Sequence, residues 1–409
     1  MRWIGWSVAT AVALMAQPLD LKTALQLAKQ RHPLLQNARY IVPLARADSL
    51  SASVFPNPTV EMQYIQNPAQ LGTPGGFGAS NGQWQLGVVQ TVDVAGQRRS
   101  RIEYSTRALA AAAESYQSFL QQVLVETALR WIDVWSAERN LAIAHHALLS
   151  ADSLVAVNRV RLRSQAIVAA DVWRAEILSS QYHIQYLQLE QQLRTARRWL
   201  QYALATQDSL WVGPSELGLP VEELPLSEWI ERAYVRRAEY RLAEAVVSAA
   251  EANVSVQDAL AISNPDIGVA AMQQVGVPFI GITVGWALPL LNRNQGERQK
   301  ARVAVEQAWA DRDRLRNQIA TEVTVAYETY LTARQALDQA RTVLAKASDV
   351  LQTVQMAYLK GATPIVDLLE AQRSWYETQR SYYDALADYW RSAVALLAAS
   401  GQLSHIVEE

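Results

Sequence analysis

Hydrophobic residues alternate with small or polar ones in four short windows of this chain and recur at helical spacing almost everywhere else. In the stretch FIGITVGWALPL, Ile280, Ile282, Val284, Trp286 and Leu288 share one side, while Phe279, Gly281, Thr283, Gly285 and Ala287 share the other. Strict alternation predicts a strand with two different faces. The expected strands are about 58–66, 83–92, 265–273 and 279–289. In the first, Val60, Met62 and Tyr64 oppose Thr59, Glu61 and Gln63; in the second, Trp84, Leu86 and Val88 oppose Gln83, Gln85 and Gly87. In the third, Ile267, Val269 and Ala271 share a face. Each strand is roughly the 9–11 residues that cross a bilayer when tilted.

No glycine or proline occurs between Gly96 and Gly213, from Ser227 to Asn264, from Glu297 to Lys360, or from Ile365 to Ser400. These residues punctuate helices, so their absence predicts rods at about 97–163, 171–205, 297–360 and 365–400. The first rod would be roughly 100 Å long if unbroken, too long for a single globular domain. In the third, Leu315, Ile319, Val323, Ala326, Tyr330, Ala333, Leu337, Ala340, Leu344, Ala347, Leu351 and Val354 recur at steps of three and four. That is a coiled-coil-like seam, and the Arg, Gln, Asp and Glu between its members place the rods in water.

The chain also repeats its plan. Leu19-Asp20-Leu21, Ala28, Arg31, Leu35 and Ala38 have counterparts in Leu224-Pro225-Leu226, Ala233, Arg236, Tyr240 and Ala243. Each half then runs through an Asn-Pro dipeptide, two strands, Gly96-Gln97-Arg98 or Gly296-Glu297-Arg298, a rod, and a returning helix. The expected boundaries are a first repeat at 17–211, a linker at 212–226 and a second repeat at 227–409, giving a mostly α fold with a small β part.

Composition narrows the setting. The chain has 409 residues, half of them hydrophobic, and a formal charge of −2, which gives no reason to expect nucleic acid as a partner. Its 13 tryptophans and 16 tyrosines favour boundaries between apolar and wet surroundings. At the amino terminus a basic residue precedes an apolar run, Trp3 to Met15, and then Ala16. A spanning helix needs roughly 20 apolar residues, so residues 1–16 read as a secretory signal peptide, although Leu14 departs from the usual small residue. The alternative is the start of an ordinary buried helix. There is no cysteine, hence no disulfide and no lipid on an amino-terminal Cys. No other segment resembles a transmembrane helix, so residence in a membrane has to rest on the strands.

An open sheet edge has no hydrogen-bond partner in lipid, and the smallest membrane barrels have about 8 strands. Four strands therefore have to be pooled with other copies, with Trp84, Leu86, Ile280, Ile282, Val284 and Trp286 facing lipid. The competing reading is a soluble sandwich with a covered apolar face.

This arrangement resembles the outer membrane efflux protein family, the TolC-like channels, over essentially all of the chain after the leader. The sharpest match is Tyr358-Leu359-Lys360-Gly361-Ala362-Thr363-Pro364-Ile365-Val366-Asp367-Leu368-Leu369-Glu370-Ala371, similar to the family's turn at the periplasmic tip. The run Val92-Asp93-Val94-Ala95-Gly96-Gln97-Arg98-Arg99-Ser100-Arg101 resembles the strand-to-rod junction of the CzcC-like heavy-metal-efflux branch. Leu288-Pro289-Leu290-Leu291-Asn292-Arg293-Asn294-Gln295-Gly296 is similar to the second junction, shared more widely.

The resemblance implies a homotrimer in the outer membrane, four strands per copy in one shared β-barrel, and rods forming a periplasmic α-barrel. A periplasmic adaptor (membrane fusion) protein and an inner-membrane pump of RND type would dock at the tip, and outer-membrane lipid would surround the strands. Gly361 and Pro364 would shape the tip turn. Asp367 and Glu370 would ring and charge the entrance, favouring cations; both also suit the first turn of a helix, where acidic groups favour the dipole. Asp171 and Tyr358 match one of the polar links that close the resting tip. Ala170 and Thr363 stand where relatives have a hydroxyl and an Arg, so fewer closing contacts are expected. Ser164-Gln165-Ala166 replaces the glycine turn in the first half, after Arg159, Arg161 and Arg163. These arginines suit either adaptor contact or a helix carboxyl end.

His145-His146 does not make a metal site, since adjacent residues on a helix do not face each other and no ligand set completes them. No catalytic or cofactor-binding motif is present. The functional expectation is an exit duct for metal cations or small toxic compounds. The alternatives are a duct for polypeptide (type I) secretion and a pore-less periplasmic coiled-coil or adaptor protein.

Overall fold

Helices form where glycine and proline are missing. The computed structural model describes residues 18–66, 82–214, 217–219, 221–274 and 277–403. The expected signal peptide lies outside the described residues, as do three positions of the expected linker, 215, 216 and 220. In chain order the elements are α1 (Leu21–Arg31), α2 (Pro33–Ala38), α3 (Ile41–Ser53), β1 (Thr59–Gln66), β2 (Gly82–Thr91), α4 (Gln97–Arg163) and α5 (Ala169–Ala203). Then follow α6 (Leu226–Arg236), α7 (Ala238–Ala259), β3 (Asp266–Gln274), β4 (Val277–Gly285), α8 (Gln295–Leu359) and α9 (Ile365–Ala399). The long helices match in pairs, 67 residues in α4 against 65 in α8, and 35 in each of α5 and α9.

Two compact units arise, and they do not follow the halves of the sequence. One takes residues 39–117 and 238–317; the other takes the described parts of 1–38, 118–237 and 318–409. Each draws on both halves because α4 and α8 are long enough to contribute to both units.

The larger unit is a helical assembly held by buried aromatics. Trp131, Trp135, Trp229 and Trp390 are all at most 2 % exposed, and the Trp135 and Trp390 rings meet at 4.2 Å. The Trp131 indole N–H donates to the Leu19 carbonyl at 2.7 Å, so the polar handle of a buried ring is satisfied. Glu138, 8 % exposed, accepts from the Arg197 guanidinium at 2.9 Å and from the Gly213 N–H at 3.2 Å. A buried carboxylate needs such partners, and this one ties the segment after α5 to α4. The expected α8 seam is real: Ile319, Val323, Tyr330 and Leu337 are buried, and Leu344, Ala347, Leu351 and Val354 are half-buried. One departure concerns α4. By length and composition alone, an 18-residue window in it with mean hydropathy 1.2 passes for a membrane span, which the sequence reading had not singled out.

The smaller unit contains one antiparallel sheet of four strands in the order β1-β2-β3-β4. Strand bounds agree with expectation except at β4, which starts at Val277 and ends at Gly285. Trp286 and Leu288 therefore lie beyond the strand, correcting the placement of Trp286 on its lipid face. The chain leaves the ladder because Trp286 donates its indole N–H to the Ser263 carbonyl at 2.9 Å and Ser263 Oγ donates to the Ala287 carbonyl. Pro289 then offers no N–H to continue pairing.

Candidate functional site: strand faces and helical tip

Register turns the alternating residues into two continuous surfaces. Val60, Val88, Val269 and Ile282 stand in one row across the sheet, and Met62, Leu86, Ala271 and Ile280 in the next. This face is bare in the chain: Met62 is 79 %, Ile280 84 % and Ile282 78 % exposed. A contiguous exposed apolar patch of this kind marks an interface or a membrane surface. Trp84 closes one end of it, donating its indole N–H to Gln273 Oε1 at 2.6 Å. Val284 and Ile267 continue the face toward the other end.

The opposite face carries Glu61, Gly87, Ala270 and Gly281 in one row and Gln63, Gln85, Met272 and Phe279 in another. Its smallness is sterically required in the middle. A Cβ on Gly268 would lie 2.7 Å from the Val88 carbonyl oxygen and 2.8 Å from Thr283 Oγ1. At Gly281, by contrast, nothing lies within 4 Å, so that glycine borders open space.

Each sheet hairpin passes into its rod through a polar junction. Asp93 accepts from the N–H groups of Gln97 and Arg98 at 2.8 and 2.7 Å, capping α4. Burial pushes the Asp93 carboxyl up, but backbone N–H donors from Arg98, Gln97, Ala95 and Gly96 outweigh it and hold it below the usual carboxylate range. Arg98 reaches back to the Ser53 carbonyl at 2.6 Å, and in the second half Arg298 reaches Asp258 at 2.6 Å. One basic residue in each junction therefore fastens a rod to the helix before the strands.

The helical turns of the larger unit share one geometry. Gly361 has φ 73°, and its N–H donates to the Tyr358 carbonyl at 3.0 Å, while Ala362 donates to Ala357 at 2.9 Å. In the first half Gln165 has φ 59° and donates to Leu162, and Ala166 donates to Arg161, both at 2.9 Å. These are matching Schellman closures. The far ends of α5 and α9 repeat the device at Ala205 and Gly401. Pro364 is the N-cap of α9, without a side-chain cap bond.

Around these turns the side chains divide. Tyr358 is 4 % exposed and donates its hydroxyl to Asn158 Oδ1 at 2.8 Å, with the Arg161 guanidinium stacked 4.8 Å from its ring centre. Asp171, in the first turn of α5, pairs with Arg174 at 3.3 Å. Among the described residues no bond joins Asp171 to Tyr358, so the structure does not bring together the expected linked pair within one chain. Arg159 and Arg163 are exposed and Arg161 is half-buried; Glu176 engages Arg159 at 2.7 Å. Asp367 and Glu370 are both exposed, but α9 begins at Ile365. Asp367 therefore lies in the first turn and Glu370 in the second, which corrects the expectation that both sit at the helix start. His145 packs against Tyr186 at 5.8 Å, and among the described residues no group of acidic, His or Cys side chains is arranged to hold a metal.

Sequence reasoning missed Asn158. Asn158 is a fully buried polar residue below Ala151, Leu154 and Val155, so an Asn interrupting an apolar stripe was the available signal. Gln165, named from the sequence in the stretch that replaces the glycine turn, takes the left-handed backbone that Gly361 takes in the second half.

Comparison with known proteins agrees with this architecture. Residues 229–402 match the profile of the family described as Outer membrane efflux protein. The chain is 25 % identical over 338 residues to the pyoverdine export outer membrane protein OpmQ of Pseudomonas putida, covering 76 % of this chain and 68 % of that one. Its fold superimposes on CusC with a TM-score of 0.77 at 17 % identity, over 93 % of this chain and 92 % of the other. On the CmeC outer membrane channel of Campylobacter jejuni the TM-score is 0.77 at 15 % identity, over 93 % and 85 %. The chain thus has the fold of the TolC-like channels, and its residues 229–402 match the outer membrane efflux protein family.

Proposed function

We propose that three copies of this chain pool their sheets into one outer-membrane barrel. The duct so formed passes metal cations or small toxic compounds handed over by an inner-membrane pump, of RND type, and a periplasmic adaptor. The observation that carries this reading is the sheet of four strands with one exposed apolar face. Four strands fall short of the roughly 8 of the smallest membrane barrels, and lipid does not tolerate unpaired edges, so closure has to come from other copies. The exposed Asp367 and Glu370, repeated by symmetry, would charge the entrance against anions. The CzcC-like junction at Val92–Arg101 favours metals. The relative named for pyoverdine export favours a small cargo over a polypeptide.

The test is a deletion strain challenged with divalent metals, dyes and detergents and complemented with the intact gene. Selective metal sensitivity supports the metal reading, and sensitivity to dyes and detergents alone moves the cargo to small organic compounds. A soluble periplasmic monomer in cell fractions would overturn the duct altogether.

A further inference from the structure

Four helices of the larger unit enclose a cavity of about 230 Å³ that the conduit reading leaves without a role. Its floor is made by Tyr182 of α5 and Tyr376 of α9, each 5 % exposed, with ring centres 5.2 Å apart. Ile143 and Ala147 of α4, Leu351 of α8 and Trp375 of α9 form mostly apolar walls, and His146 stands at the exposed mouth. Among the described residues neither tyrosine hydroxyl has a hydrogen-bond partner. Tyr376 stands beside Arg380, whose guanidinium approaches without closing a full hydrogen bond. A buried hydroxyl without a partner is costly, and two of them on residues that line one cavity call for an occupant that accepts hydrogen bonds. Burial also keeps the Tyr182 phenol protonated, pushing it up to about 12, so it acts only as a neutral donor here.

The occupant's shape follows from the walls. Aromatic and aliphatic side chains around a narrow space favour a flat apolar body, and a cavity of about 150 Å³ already admits benzene. We propose that this cavity is a binding site for a small, planar, neutral molecule bearing a hydrogen-bond-accepting oxygen. The acceptor meets the Tyr182 and Tyr376 hydroxyls, and the ring lies between Trp375 and Leu351. The half-buried amides of Gln372 and Gln379 are placed to complete its polar contacts. The site lies within the helices of one chain, so it stands or falls independently of the cargo and of the number of copies in the barrel.

The experiment uses the full detergent-extracted chain and benzamide as the probe, followed by ligand-observed NMR titration. Wild type should bind benzamide saturably. The double variant Tyr182→Phe with Tyr376→Phe keeps both rings and removes only unpartnered hydroxyls, so it should fold normally and bind about ten-fold more weakly. Ala147→Leu should fill the space and abolish binding. Should that variant fail to fold, the phenylalanine pair decides alone. Absence of saturable binding to wild type, meaning that the cavity holds water only, would overturn the proposal. So would an affinity unchanged in the double variant.

Discussion

The Tyr358 hydroxyl reaches Asn158 Oδ1 at 2.8 Å, joining the last turn of α8 to α4 across 200 residues of sequence. Among the described residues the Asn158 side-chain N–H group has no partner, so the Tyr358 bond is the hydrogen bond that ties this side chain to the second half. Tyr358→Phe would leave a fully buried amide unpaired, costing about 1–3 kcal/mol. In planar-bilayer recordings the variant should show a raised resting conductance. Asp171→Ala should raise it less, because Asp171 pairs at 3.3 Å with the exposed Arg174 of its own helix, a local contact that contributes little. Unchanged conductance in both variants would remove these residues from the closure of the tip.

The glycine turns separate two kinds of strain. At Gly361 an added Cβ meets nothing, so Gly361→Ala incurs only the left-handed backbone penalty, about 1–2 kcal/mol. At Gly401 the Cβ would lie 2.8 Å from the Arg236 carbonyl carbon and 2.9 Å from the Arg237 nitrogen. Gly401→Ala should therefore lower the unfolding midpoint more than Gly361→Ala does. Gln165→Gly should raise it, by up to about 1 kcal/mol, because it relieves the same strain.

Acid should loosen the first junction. Asp93 has a folded-state pKa below its unfolded value, so its contribution is complete above the ordinary carboxylate range and is lost as the pH falls through the folded value. Asp93→Asn should cost about 1 kcal/mol at neutral pH. It should also flatten the stability curve below about pH 4, where the wild-type curve falls. Chemical denaturation at several pH values distinguishes the two curves; parallel curves would mean that the cap is not coupled to folding.

The two sheet faces should answer oppositely to charge. Ile282→Arg places a cation in the exposed apolar rows, where a lipid-facing position costs roughly 2–4 kcal/mol near the bilayer midplane. Gln85→Arg, on the small and polar face, should be tolerated. Recovery of folded protein in the outer-membrane fraction reads the difference, and equal recovery would mean that the apolar face does not meet lipid.

Neutralising the exposed tip carboxylates tests the entrance. Asp367→Asn with Glu370→Gln should lower the cation-over-anion permeability ratio without changing thermal stability, since neither side chain caps α9 through a hydrogen bond. An unaltered ratio would assign both residues to helix-end electrostatics alone.

Much of this architecture was legible because its signals are periodic or punctuated. The interval from Gln97 to Arg163 lacks glycine and proline and became α4 with those bounds. The alternation in the strands survived as one apolar face and one small or polar face, because a one-residue slip would have exchanged them. Contacts between distant segments were not legible. Nothing near Tyr358 in sequence names Asn158 as its partner, and Trp286 was assigned to a strand because alternation continues past the point where Ser263 captures the chain. The cavity between Tyr182 and Tyr376 was equally hidden, since four separate helices build it.

The open sheet has a genetic consequence. Within one chain β1 and β4 are the outer strands, so in the proposed barrel each copy would close the wall only through its neighbours. With three copies to a barrel, a cell producing equal amounts of intact and edge-damaged chain would assemble only about one barrel in eight from intact copies alone. A proline placed in β1 or β4 would then act dominantly, impairing export even when the undamaged gene is present, whereas a defect confined to the fold of a single copy would be recessive.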